Sequence, residues 1–486
     1  MAVSVCSAPP IDYPDPGDSF SPQESYPEYR FGHLSSKPNP VYEMVRRTFS
    51  QLGLDAARFG TPAWNPLGGS IAPGGSVFIL CNFVYHRRFQ ESQRDFEAKC
   101  IHGSVLRALC DYALIAVGKN GRVRFGNSAL QSCHWDQVLS DTGAAVALAF
   151  YRMQNAPVDA KDLRLFVTER SFLGRVTSVE QRQDASDGVE IALGAESLLS
   201  EIEGLRGRPA RFRISDYKPE RIEAFHSGNL HRYVIHRAVL ESDTVISLSK
   251  LKTHEKVGIT CGLKGFVGMV GHKDCLAHHR FGSPAVGGDE YPERLRFLQG
   301  LSAFQDWVNG RRAGAFLQGP AQIVDRTLHR VLRRLGASMA GAWWGNDTAW
   351  RMTLDLARIA HYASADGSMR PEKQRTHLSF IDGIVGGEGD GPLAPTPVTS
   401  GVLVFSDDVV SGDRVAARLM GFEPTAIPLI REAGRPMPHP LVTPGTPPAE
   451  VIWNGASHEE TALTPVLGRP FRPPSGWRGH FSTGRR

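Results

Sequence analysis

The seven cysteines, at 6, 81, 100, 110, 133, 261 and 275, include no CxxC pair. That scatter argues against a thiolate-held zinc or iron–sulfur site and against a disulfide framework. Long apolar runs are also missing. No window approaches the roughly 18 consecutive apolar residues a membrane span requires, so no span is expected. The opening stretch MAVSVCSAPPIDYPDPGDSF has no basic leader, so no secretory signal is expected and the cytoplasm is the default compartment. Charge of one sign is not in large excess: the net +5 is mild for 486 residues. No aromatic-interleaved basic stripe accompanies it, so nucleic acid is not an expected partner. There is no internal repeat.

What the chain does have is an ordinary globular composition, 41% apolar and 22% charged, at a length that predicts more than one structural unit. Residues 1–38, rich in Pro, Ser, Asp and Tyr, read as an irregular arm. Asn39-Pro40 is an N-cap followed by proline at the first helical position, and Val41, Met44, Val45, Phe49 and Leu52 share one face before Gly53. Residues 76–81 (SVFILC) read as a buried strand, 103–117 as a helix, and Arg122–Phe125 as a second strand. Strand, long helix, strand is the signature of a parallel crossover. Further strands are expected at Leu163–Thr168, Thr244–Leu248, Leu378–Ile381 and Val402–Phe405. The expected architecture is an open, mostly parallel α/β sheet with flanking helices, arranged as two α/β lobes around a cleft. An α/β lobe spans 39–293, a helical region 294–377, a closing α/β segment 378–434, and a Pro/Gly-rich basic tail 435–486. Ligands in such sheets sit at the carboxyl ends of the strands, where Asn82, Asn127, Ser249 to His254 and Asp382 fall.

One segment stands out. Lys250 to Arg280 reads KLKTHEKVGITCGLKGFVGMVGHKDCLAHHR and holds five lysines and four of the chain's 17 histidines, against only Glu255 and Asp274. Glycines at 258, 262, 265, 268 and 271 permit close backbone approach to a ligand and can turn amides toward an anion. Lysines beside such amides hold phosphate or carboxylate, and neutral imidazoles carry protons or bind metals. Its bland reading is a glycine-rich packing segment with a solvated basic face. The combination with a preceding apolar strand favours a site, with Lys252, Lys264, Lys273, Gly262, Gly265 and Asn82 as candidate contacts for an anion or cofactor.

A second constellation, SFIDGIVGGEGDGPLAP, puts Asp382, Glu388 and Asp390 on an expected glycine loop suited to cation binding or acid/base work. A third, VGGDEYP, adds Asp289 and Glu290, and reads equally well as an exposed turn. In WWGNDTAWR, Asn346, Asp347 or Thr348 caps a helix carrying Trp350, Leu354 and Leu356. Val324, Leu328, Val331, Leu332 and Leu335 form an apolar stripe opposite four arginines, read as core packing with a solvated face.

Taken in order, FILCNFV at 78–84, GNSALQS at 126–132, SDTVISLSKLKTHEKVGITCGLKGFVGMVGHKD at 242–274, GGDEYP at 287–292, GNDTAWR at 345–351, IDGIVGGEGDGPLAP at 381–395 and VAARLMGFEP at 415–424 resemble the bacterial family of domain of unknown function 362. The resemblance runs from about residue 70 to 430. This chain departs from it in having Leu80-Cys81-Asn82 where many relatives carry Lys-Pro-Asn, and Asn127 where they carry Asp. It also lacks the ferredoxin-like Cys motifs fused to some relatives, so no iron–sulfur cluster is expected. The pattern looks like the subgroup found with polysaccharide or natural-product biosynthesis genes. The run of His, a glycine-flanked Lys ten residues on, and a later His is similar to the nickel-pincer lactate racemase. That similarity implies His254 as acid/base residue, Lys264 as cofactor anchor, and His278 or His279 as metal ligand.

The resulting expectation is an enzyme of isomerase, epimerase or lyase type acting on a small anionic molecule, a hydroxy acid, sugar acid or phosphosugar. It would use a divalent metal of unspecified identity, with His272, His278, His279, Asp382, Glu388 and Asp390 as candidate ligands. A metal-free Lys/His acid–base or Schiff-base enzyme and a non-catalytic binding protein are the alternatives. Sequence does not decide the oligomeric state.

Overall fold

A computed structural model describes the chain apart from residues 1, 9–10, 171–175, 205–209, 215–218, 301, 304–338, 444 and 483–486. The expected apolar stripe at 324–335 lies outside the described residues. One large sheet dominates. From one edge its strands run Ala456–His458, Glu450–Trp453, Ala2–Ser7, Thr396–Ser406, Thr376–Glu388, Thr244–His254, Ser76–Cys81, Arg122–Asn127 and Val158–Asp162, with Gly258–Ile259 paired to Thr244–His254 as well. The five strands from Thr376–Glu388 to Val158–Asp162 are mutually parallel. Thr396–Ser406 is antiparallel to its neighbours on both sides.

Residue alternation explains the two covered faces. In Ser76–Cys81, Phe78 and Leu80 enter one apolar core while Val77, Ile79 and Cys81 enter the other. A strand apolar on both sides has to be sandwiched between layers. Helices Pro40–Ser50, Gly103–Val117 and Ala144–Met153 cover the second face; Ala349–Tyr362, Val409–Leu419 and the short Cys261–Gly265 cover the first. Asn39 caps the Pro40–Ser50 helix by accepting from the Tyr42 N–H, and Gln51 rather than Gly53 takes the C-cap position. Asn346 likewise accepts from the Thr348 and Ala349 N–H groups at the start of Ala349–Tyr362. No single helix among the described residues is long and apolar enough to cross a membrane.

Four expectations are corrected. Ala2–Ser7, read as part of an irregular arm, is an internal strand, because its alternate residues Val3 and Val5 are fully buried. The tail is not merely irregular: Glu450–Trp453 and Ala456–His458 complete the sheet edge. The crossover strand expected at Leu163–Thr168 is displaced to Val158–Asp162, and Phe166–Arg170 forms a separate hairpin. Residues 382–388, read as a glycine loop, belong to the Thr376–Glu388 strand lying directly beside Thr244–His254, with Lys250 opposite Asp382.

Candidate functional site

Thr244–His254 is buried along its whole length and carries lysines where an ordinary parallel strand would end. Alternation sends Lys250 and Lys252 to the face covered by Gly103–Val117, and Ser247, Ser249 and Leu251 to the other. Lys250 is fully enclosed. Its Nζ donates to Asp382 Oδ2 at 3.0 Å and to the Tyr13 hydroxyl at 2.6 Å. Tyr13 in turn donates to Asp382 Oδ1, and the His102 N–H to Oδ2. The Tyr13 ring stacks on His102 at 4.0 Å. Asp382 is therefore occupied by four donors, counting the Ile384 N–H, and ties the N-terminal segment to the sheet. Nothing in the sequence pattern pointed to Tyr13 or His102, since only the fold brings them to this strand.

Lys252 donates to Asn82 Oδ1 at 2.8 Å and to the Lys99 carbonyl. His254 ends the strand at a hairpin whose return, Gly258–Ile259, pairs with Thr253 and His254. Its Nδ1 accepts from the Lys256 N–H at 3.1 Å, so the neutral ring carries its proton on Nε2. Trp477, from the tail, donates to the Glu255 carbonyl and packs beside Gly258, covering the turn.

The chain then folds into Cys261–Gly265, which presents Lys264. A buried carboxylate that sequence reasoning missed, Asp413 of Val409–Leu419, accepts from the Gly262 and Leu263 N–H groups at 2.6 and 3.0 Å. Its separation of some 150 residues in sequence left no local signal. Gly262 and Gly265 serve packing here. A Cβ on Gly262 would stand 2.7 Å from Ser379 Oγ and 2.8 Å from Val409 Cγ1, and one on Gly265 would meet Ser247 Oγ.

Lys264 makes no hydrogen bond or ion pair among the described residues although only 8% of it is exposed. Burial, and then the charge of Lys256, push its ammonium down to about 7. Lys273, which donates to the Ser128 carbonyl at 2.6 Å, is pushed down to about 7 by burial and by Lys264. Lys252 is pushed to about 7 by burial as well. His254 lies well below the ordinary imidazole range through burial, then Lys264, Lys252, Lys256 and His278. His278 is depressed by burial, Lys256 and Lys264. Its Nδ1–H donates to the Leu276 carbonyl at 3.0 Å, which leaves the Nε2 lone pair unprotonated. Two neutral imidazoles thus meet a common set of lysines in opposite tautomers: His254 offers a proton and His278 can take one.

The remaining candidates lie elsewhere. Glu388 accepts from Arg469 and the Arg472 N–H, and Asp390 from the backbone and hydroxyl of Ser475, so both fasten the tail. Asp289 accepts from Arg280, Asp347 and Thr348; Glu290 accepts from Gly282 and Ser302. His272 sits between Phe166 and Phe225, 3.9 Å from Asp274. His279 is in a two-residue strand paired with Arg213, beside Gly341. Among the described residues, no three His, Cys, Asp or Glu side chains converge on a point that could hold a metal ion. The carboxylates expected as ligands are already bonded to cations and amides, so this donor set does not fit a metal centre as arranged.

A family model described as "Domain of unknown function (DUF362)" matches residues 159–418. No curated protein and no solved structure matches the chain.

Proposed function

The chain belongs to the family of domain of unknown function 362, a membership that assigns no reaction, and from that premise we propose that it is an acid/base enzyme acting on a small anionic carbon acid. The observation that carries this reading is the pair of neutral imidazoles in opposite tautomers, both under the charge of Lys264, a lysine without a partner among the described residues. His278 Nε2 removes a proton from a carbon next to a carbonyl or carboxylate. His254 Nε2–H protonates the developing oxyanion or the opposite face of the carbon. Lys264, which has no hydrogen bond or ion pair among the described residues, holds the anion and stabilises negative charge as it develops. Such a layout suits an isomerase, an epimerase or an eliminating lyase.

Solvent exchange tests this without an identified substrate. Small-molecule extract from the protein's own host is incubated with the enzyme in D2O, and each anionic metabolite is examined for incorporated deuterium. Wild-type protein is expected to label one or a few compounds, and His254→Asn and His278→Asn to lose the labelling. Equal labelling by wild type and both variants would refute the assignment.

A further inference from the structure

A buried ammonium without a counter-charge is costly, and three such lysines lie within electrostatic reach of His254 or of one another: Lys252 near the end of its strand, Lys264 in the helix Cys261–Gly265 and Lys273 in the turn that follows. Among the described residues, Lys252 and Lys273 are held only by neutral oxygens, from Asn82, Lys99 and Ser128, and Lys264 by none. Their charges are felt in common: Lys252 and Lys264 both act on His254, and Lys264 acts on Lys273. Nearby carboxylates are engaged elsewhere, Asp382 with Lys250, Asp413 with the amides of Gly262 and Leu263, and Asp162, whose charge reaches Lys273, with Arg164.

Two hydroxyls add to the surplus of donors. Ser128 Oγ and Thr260 Oγ1 are buried with no hydrogen-bond partner among the described residues. Ser128 is the residue whose carbonyl holds Lys273; the Thr260 N–H bonds the Lys252 carbonyl, and Thr260 leads directly into the helix of Lys264. Buried donors left unsatisfied call for an acceptor. A carboxylate brings one charge and two oxygens. A phosphate monoester brings close to two charges near neutrality and three terminal oxygens, which match this set of donors better.

We propose that the anion taken by this site is a phosphate monoester, its phosphoryl group held by Lys252, Lys264 and Lys273 with the hydroxyls of Ser128 and Thr260. This rests on the acid/base reading for its location and narrows its small anion to a phosphorylated one.

Binding of inorganic phosphate to the full chain at pH 7, compared with acetate at matched ionic strength, tests it by calorimetry and thermal shift. Phosphate is expected to bind at least tenfold more tightly than acetate. Lys264→Met and, independently, Lys273→Gln should each weaken phosphate binding tenfold or more, and either variant that folds suffices. His254→Asn should keep phosphate binding while losing deuterium labelling. Equal affinity for phosphate and acetate, or full phosphate affinity in the folded lysine variants, would overturn the proposal. The acid/base reading fails by a different result: phosphate bound as expected by a wild-type protein that labels no metabolite.

Discussion

His254 and His278 are distinguished from the other histidines by the cations around them: the charges of Lys256 and Lys264 bear on both rings. Each uses Nδ1 on the backbone and makes no Nε2 hydrogen bond among the described residues, a pattern His361 and His102 share, whereas His226 spends Nε2 on the Cys275 carbonyl and His236 spends it on Gln183. A general acid or base contributes roughly 10² to 10⁴ in rate. His254→Asn and His278→Asn are each expected to lose labelling activity by about that factor, with circular dichroism and melting temperature little changed. A comparable loss in His279→Asn would count against the assignment, because the His279 residue belongs to a strand pairing with Arg213. The two adjacent imidazoles, indistinguishable in sequence, differ because the two-residue strand fixes one while the other is left part-buried beside Lys264.

At the level of the element, the helix Cys261–Gly265 is only five residues long and cannot stand on its own hydrogen bonds. Its position is set from outside, by Asp413 on its first amides and by Ser247 Oγ donating to the Gly262 carbonyl. Asp413→Asn keeps the shape but turns one oxygen acceptor into a donor facing an amide. It is expected to cost about 1–3 kcal/mol of stability and to lower labelling activity further by displacing Lys264, read by denaturant unfolding and by the D2O assay. Gly262→Ala tests the same seat sterically. Its Cβ would stand 2.7 Å from Ser379 Oγ and 2.8 Å from Val409 Cγ1, an overpacking expected to cost about 1–3 kcal/mol. A neutral Gly262→Ala would show that the helix is not seated against the sheet as described. The glycine spacing was legible in the sequence as close approach, but its target was not: the neighbour is the protein's own sheet and the Val409–Leu419 helix rather than a ligand.

For the whole molecule, sequence revealed what local pattern determines and missed what distant pairing determines. SVFILC and the 103–117 helix were legible because unbroken apolar runs and helical length are local properties. The Asp382–Glu388 stretch hid its strand because glycines at 383, 386 and 387 imitate a loop; they are there because Val402, Leu251, Ser400 and Pro395 crowd the positions where their Cβ atoms would be. Ala2–Ser7 was obscured by the Pro-rich run that follows it, and the tail strands by being only three or four residues long. The lysine cluster itself was legible, yet its energetic consequence appears only once the fold buries it. In the unfolded chain Lys252, Lys264 and Lys273 titrate near 10.5, and in the folded chain near 7. Between pH 7 and 8 the unfolded state therefore binds more protons, and stability must rise with pH, by up to ~1.4 kcal/mol per unit for each lysine fully deprotonated only when folded. Other groups frame this window. Asp413, raised to about 7 by burial, favours the folded state at lower pH and has lost most of that contribution at the start of it. Buried His102, His226 and His361, each depressed to about 3, penalise the fold only below the ordinary imidazole range. The buried thiols of Cys6, Cys81, Cys110, Cys133, Cys261 and Cys275 are pushed up, and their unfolded counterparts ionise toward pH 9, which closes the window above 8. Melting temperature in a non-phosphate buffer should thus climb from pH 7 to 8, an interval in which paired surface lysines, protonated in both states, contribute no slope. Lys264→Met should melt higher than wild type at pH 7 and show a shallower climb, and saturating phosphate should flatten the wild-type slope by keeping the lysines charged in the folded state. A wild-type melting temperature that falls across this interval would mean that the three ammoniums are not desolvated together.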